Sequence, residues 1–317
     1  MVFSPIATRA VLLPLDLSLT VPQTGAIADY CRFYQLDFES YLPNIHHACG
    51  WHHAAGYQIL THVFRPINAR GTVFIVHGYL EHSGLYRHVV PVMLKAGYAV
   101  VIYDLPGHGL SSGVRASIRD FAEYQTILAS VLSTLSAQLP TPYLGLGQST
   151  GAAILMDYAL SAKQSPYFDR LCLLAPLVYP ARMQALQMQF AFWWFSATRS
   201  GLPRAFRKNT QDTNFLRFMR DEDPLQARWI PVSWLIALKH WIKHIHLQSP
   251  SRLPVWLVQG GQDRTVNGTY NTQFIQQHFN VQHFLWLPEA GHQLANEQTA
   301  IRQRVLDILA EFLQSPQ

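Results

Sequence analysis

The pentapeptide Gly147-Gln148-Ser149-Thr150-Gly151 decides how the chain is read. The short run Pro142–Leu146 before it reads as a strand, and Gly151–Leu160 after it reads as a helix. A serine on so sharp a strand-to-helix turn projects its hydroxyl clear of a sheet, and the flanking glycines leave room for the crowded backbone. The start of the helix leaves free N–H groups beside the serine, and that of Thr150 can face a developing oxyanion. G-x-S-x-G also arises by chance, so its weight comes from the strand–turn–helix setting.

A serine hydroxyl needs a base, and the base needs an orienting carboxylate. In this architecture the chain order is Ser, then Asp or Glu, then His. Asp263 follows the strand-like run Val255–Val258 in Gln259-Gly260-Gly261-Gln262-Asp263, and His292 follows Phe284–Leu287 in Glu289-Ala290-Gly291-His292. Both stand just past carboxyl ends of expected strands, where open α/β sheets gather their sites. The competing readings are a turn-capping aspartate and a helix-capping or surface histidine. A second oxyanion donor is expected after the run Thr72–Val76, where Gly78 lets the backbone turn so that the Tyr79 N–H faces Ser149. His77 reads as a brace for that loop. Asp104 precedes Ser149 and reads as structural, shaping the Pro106-Gly107-His108-Gly109 turn.

Strand and helix patterns alternate from about residue 46 to 180. Gly56–Phe64, Thr72–Val76, Ala99–Tyr103 and Leu171–Leu174 read as strands. Tyr124, Ile127, Leu128, Val131, Leu132 and Leu135 share one helical face. After a break, two further strands and a closing helix over Ile301–Phe312 complete the pattern. Runs apolar on both faces predict a mostly parallel sheet with helices on each side, an α/β fold. In the N-terminal extension, 1–45, residues 26–42 read as an aromatic-rich helix ending before Pro43.

The break is 182–246, without strand pattern. It holds five of the eight tryptophans, and ten Lys/Arg against four Asp/Glu, a balance of +6 in a chain of +5. It reads as a helical lid inserted between the core segments 46–181 and 247–317. Phe192, Trp193, Trp194 and Phe195 cannot all be buried on one side of a helix.

With 49% apolar and 14% charged residues, the 317-residue chain is no disordered protein. Its modest basic excess lacks the dense stripe of a nucleic-acid binder. Cys31, Cys49 and Cys172 show no metal-ligand spacing, and a reducing compartment is the simplest reading. Met1–Thr20 lacks a clear cleavage signal, and no run reaches ~18 uncharged apolar residues. His240, His244 and His246 invite a metal, but Trp241 stands where a zincin needs Glu. His46, His47, His52 and His53 flank a strand candidate. Neither G-x-G-x-x-G nor G-x-x-x-x-G-K-[ST] occurs, so neither metal nor cofactor is expected.

Five stretches carry a family resemblance: HGYLEHSGLY (77–86), YDLPGHGLSSG (103–113), GQSTG (147–151), GGQDRTV (260–266) and EAGHQ (289–293). In this order they resemble the α/β-hydrolases of the monoacylglycerol lipase and lysophospholipase group, also described as serine aminopeptidase S33-like hydrolases. The resemblance covers roughly residues 50–314. It implies Ser149 as nucleophile, Asp263 as acid, His292 as base, and the Tyr79 and Thr150 amides as oxyanion hole. It also implies a lid between the sixth and seventh core strands, and ester hydrolysis through an acyl-enzyme. The expected substrate is a monoacylglycerol or lysophospholipid. The alternatives are a short-chain carboxylesterase, an aminoacyl amidase or peptidase of the same fold, or a catalytically silent binding protein.

The usual elbow is GHSMG, and the usual oxyanion loop has Gly at the position of Leu80 and Arg at that of Leu85. These departures bear on the acyl pocket and leave the reacting atoms in place. The basic, aromatic lid is further expected to rest on an anionic membrane surface without spanning it. The expected location is cytoplasmic, peripheral to the inner face of a membrane.

Overall fold

A computed structural model describes residues 3–161, 167–181 and 201–315. The strands are β1 (Ile45–Ala54), β2 (Tyr57–Pro66), β3 (Thr72–Val76), β4 (Ala99–Tyr103), β5 (Tyr143–Gln148) and β6 (Arg170–Leu174), then β7 (Gly201–Pro203), β8 (Trp229–Pro231), β9 (Pro254–Gly260) and β10 (Asn280–Leu287). Eight of them form one sheet in the order β1-β2-β4-β3-β5-β6-β9-β10. β1, β2 and β4 pair antiparallel, and every pairing from β4 through β3 to β10 is parallel. The structure is the α/β-hydrolase architecture the motifs imply.

β3 and β4 are buried at every position because neighbouring side chains enter different cores. Phe74, Val76, Val101 and Tyr103 pack with α4 (Phe121–Ser136) and α5 (Thr150–Ser161) on one face. Val73, Ile75, Val100 and Ile102 pack with α2 (Ala26–Tyr34), α3 (Val90–Lys95) and the closing helix, α9 (Thr299–Gln314), on the other. α8 (Gly268–His278) joins β9 to β10.

Three expectations need correction. The helix sought in 26–42 stops at Tyr34, where Gln35 takes a left-handed φ of 57°, and only a 3₁₀ turn, Phe38–Ser40, follows. A short helix that the sequence reading does not place, α1 (Pro5–Val11), precedes it, with Ser4 as its N-cap. β1 was also not expected as a full strand, because its four histidines mask the alternation. His47 is nonetheless buried, stacked on Phe64 and bonded through Nε2 to His62 Nδ1 at 3.0 Å.

The inserted segment, where described, is not wholly helical. β7 and β8 pair antiparallel, three residues each with a proline in both, too short to show a period. Between them α6 (Thr213–Arg217) runs into a π-helical turn, Phe218–Glu222, and α7 (Val232–Ile245) follows β8. The aromatic quartet 192–195 lies outside the described residues. Among the described residues no helix is long and apolar enough to cross a membrane.

Candidate active site

Ser149 sits between β5 and α5 at φ 53°, a left-handed conformation costly for a side-chain-bearing residue. Its N–H donates to Leu174 O at 2.9 Å, which fixes the turn to the end of β6. The glycines are sterically required. A Cβ on Gly151 would stand 1.9 Å from Val76 O, and one on Gly147 would meet the Ala152 backbone at 2.6 Å. The helix therefore packs directly on the end of β3.

His292 Nε2 is 2.9 Å from Ser149 Oγ, and its Nδ1 is 2.7 Å from Asp263 Oδ2. Asp263 Oδ1 accepts from the N–H groups of Thr265 (2.7 Å) and Val266 (3.1 Å), and Gln259 Nε2 reaches Oδ2 at 3.2 Å. The three residues chosen from the sequence thus form one hydrogen-bonded chain from three strand ends. Burial alone would push the Asp263 carboxyl up, but the neighbouring His292 and the two backbone donors hold it below the usual range. Burial opposes charge on His292 as well. Asp263, with a smaller contribution from Glu81, outweighs it, and the imidazole is pushed above its ordinary value.

Tyr79 and Thr150 line the same cleft as Ser149. Tyr79 is immobilised by its hydroxyl, which donates to Ala116 O at 2.8 Å, and by Trp234 of α7, stacked on its ring at 3.6 Å between centroids. Leu80 takes φ 65°, so a leucine here bears the left-handed backbone that glycine adopts freely, and its side chain lines the cleft. His77 accepts from Leu105 N (2.9 Å) and contacts Gly78 O through Nδ1 (2.8 Å), so it braces the loop. Asp104 takes the N–H groups of Ser83 and Leu110 at 2.7 and 2.8 Å and shapes the adjoining turn.

Glu81, a buried carboxylate behind the site, carries no signal in the sequence. It accepts from Gly78 N (2.9 Å), Tyr86 Oη (2.8 Å), Gln148 Nε2 (3.3 Å) and Gln293 Nε2 (2.6 Å). Gly78, Gln148 and Gln293 are chain neighbours of Tyr79, Ser149 and His292, so one acid ties three site loops together. The departure at Gln148 is thereby accommodated: its amide joins this network. Asn209, from the inserted segment, accepts through its carbonyl from the N–H groups of His292 (2.8 Å) and Gln293 (2.9 Å). Three of the other histidines singled out have local partners. His244 stands 3.2 Å from Asp157, His246 contacts Tyr270 Oη, and His52 contacts Ser130 Oγ.

The cleft above Ser149 measures about 910 Å³. Leu177, Leu202, Leu216, Met219, Trp234 and Leu238 supply much of its apolar lining. A strained serine on a strand–helix turn, backed by histidine and aspartate at the carboxyl edge of this sheet, defines an α/β-hydrolase. The family model for serine aminopeptidase S33 matches residues 67–299, well over half of the chain, and the chain belongs to that family of hydrolases.

Among curated relatives, a monoacylglycerol lipase of Mycolicibacterium smegmatis is 36% identical over 105 residues, 32% of this chain and 38% of that protein. The mouse monoglyceride lipase is 26% identical over 222 residues, 67% of this chain and 71% of its own. The matched stretch thus spans well under half of the mycobacterial relative. A soluble variant of the Saccharomyces cerevisiae monoglyceride lipase superposes with a TM-score of 0.70 at 16% identity, covering 84% of this chain and 94% of that one. A monoacylglycerol lipase from Paleococcus ferrophilus gives 0.67 at 18% identity, over 80% and 98%. At such identities the structural likeness speaks for the fold.

Proposed function

We propose that this chain is a serine esterase that hydrolyses a monoacyl lipid, a monoacylglycerol or lysophospholipid, through an acyl-enzyme. The observation that carries the proposal is the Ser149–His292–Asp263 hydrogen-bond chain facing an apolar cleft. His292 takes the Ser149 proton as Oγ attacks the ester carbonyl, and Asp263 holds the imidazole in the tautomer that can accept it. The Tyr79 and Thr150 N–H groups take the oxyanion. His292 then protonates the departing glycerol oxygen and activates the water that releases the acid.

Hydrolysis of an aminoacyl amide fits less well. A free amino group needs a carboxylate partner, and the one acid among the described cleft-lining residues, Asp263, is engaged with His292. A panel of p-nitrophenyl esters, monoacylglycerols, lysophospholipids and aminoacyl anilides tests this reading. Monoacyl lipids are expected to be turned over fastest. Anilides cleaved faster than every ester, or no turnover of any substrate, would overturn it.

The inserted segment is further proposed to rest reversibly on anionic lipid. Support comes from its basic excess and from Trp229, which is 55% exposed. Part of that charge is internally paired, as Arg217–Glu222 at 3.3 Å and Arg220–Asp221 at 2.8 Å. A basic residue near such a surface contributes ~1 kcal/mol, and the attraction fades within a Debye length of ~8 Å. Co-sedimentation with phosphatidylglycerol vesicles is expected at low salt and should decline as salt rises. Absence of binding at low salt, or binding indifferent to salt, refutes the contact.

A further inference from the structure

One region of the cleft lining is strongly cationic. Arg204, Arg207, Lys208 and Arg264 line the cleft against the single carboxylate Asp263, itself held by His292 and two backbone N–H groups. The stretch of chain that carries Arg204, Arg207 and Lys208 has no Asp or Glu between Asp169 and Asp212.

Arg204 is the most firmly fixed of the four. Its Nη1 donates to Gln226 Oε1 (2.5 Å) and to Ala227 O (3.2 Å), and its guanidinium lies 4.4 Å from the Phe206 ring centre. None of the ion pairs among the described residues involves it. The buried acid on this side, Asp223, accepts from His82 (2.9 Å), Tyr34 (2.6 Å) and Gln226 Nε2 (2.7 Å). Gln226 therefore bridges Asp223 to Arg204, and the direct partners of the guanidinium are neutral.

Neutral acceptors and an aromatic face fix the orientation of a guanidinium without cancelling its charge. Burial pushes the proton affinity of Arg204 down to about 10, still cationic at neutral pH. Asp223 and Glu81 act on Arg204 from a distance, but no carboxylate among the described residues touches its guanidinium, and a partly desolvated cation gains from an anion that a ligand brings into direct contact. The planar fork of arginine matches phosphate oxygens in pairs.

We propose that Arg204 seats the phosphate of the substrate's head group, so that the preferred substrate is a monoacyl glycerophospholipid of net negative charge rather than a neutral monoacylglycerol. This rests on the lipid-esterase reading and narrows it. The apolar lining takes the acyl chain, Ser149 meets the ester carbonyl, and the cationic part of the cleft meets the phosphate.

The test compares octanoyl-lysophosphatidylglycerol with monooctanoylglycerol, both as monomers below their micelle concentrations, so that attraction to a charged surface plays no part. The readout is the ratio of their kcat/KM values. A wild-type ratio of roughly ten or more is expected from a charge-assisted hydrogen bond. Arg204→Met, which keeps an apolar stem over Phe206, should lower the ratio about tenfold, mainly through KM for the phosphoester, and Arg204→Lys should retain part of it. A wild-type ratio near one, or a ratio unchanged in Arg204→Met, overturns the head-group assignment. The wild-type ratio and the lysine variant decide the matter if the methionine variant does not melt cooperatively. Turnover of p-nitrophenyl butyrate with neither octanoyl lipid accepted would instead overturn the lipid reading, and the proposal with it.

Discussion

Ser149→Ala is expected to abolish turnover, lowering kcat on the order of a million-fold, while the protein still folds. The size follows from the proposed mechanism, in which no acyl-enzyme forms without Oγ and His292 has no proton to take. The fold should survive because, among the described residues, Ser149 Oγ bonds only to His292, while the turn is held by the Ser149 N–H to Leu174 and by Gly151 packed on β3. Alanine tolerates the φ of 53° about as well as serine does. Steady-state rates together with a thermal melt check both halves. Substantial residual activity in a well-folded variant would remove Ser149 from the chemistry.

Asp263→Asn should cost roughly ten-thousand-fold in kcat. The asparagine amide would fill the same space but donate toward Nδ1, which forces the wrong imidazole tautomer. It also carries no charge to stabilise the imidazolium. Asp263 contributes the leading upward push on the His292 pKa, so the substitution leaves a pH signature. The base must be unprotonated, so wild-type kcat/KM rises with pH through a limb set above the ordinary imidazole value. In the variant the small residual rate should show that limb at lower pH. Near-wild-type activity in Asp263→Asn would exclude this assignment. An unmoved limb would show that the aspartate does not set the basicity of His292.

How much was legible varied with the physics of each part. β3 and β4 could be read to the residue because both faces are buried, leaving continuous apolar runs bounded by loops. Ser149, Asp263 and His292 stood out because each follows such a run on a glycine-bearing turn, and the structure brings them together. β1 is harder to read, since its buried His47 is satisfied by His62 of β2 and by Glu39, through bonds the sequence does not announce. β7 and β8 are too short for a period to emerge. Glu81 was illegible for another reason: its donors Gln148 and Gln293 lie 67 and 212 positions away. A lone glutamate in a turn carries no spacing signal until the fold closes. Trp234 likewise read as one lid aromatic among several, and only the folded chain sets it against Tyr79.

The most direct measurement is peptide mapping by mass spectrometry of protein acid-quenched during steady-state turnover of p-nitrophenyl butyrate. A serine esterase working through an acyl-enzyme should carry one butyryl group, confined to the peptide that contains Ser149 and absent from Ser149→Ala. Rapid release of p-nitrophenol with no acyl group on the protein, or a butyryl group on another residue that persists in Ser149→Ala, would contradict the mechanism at its centre.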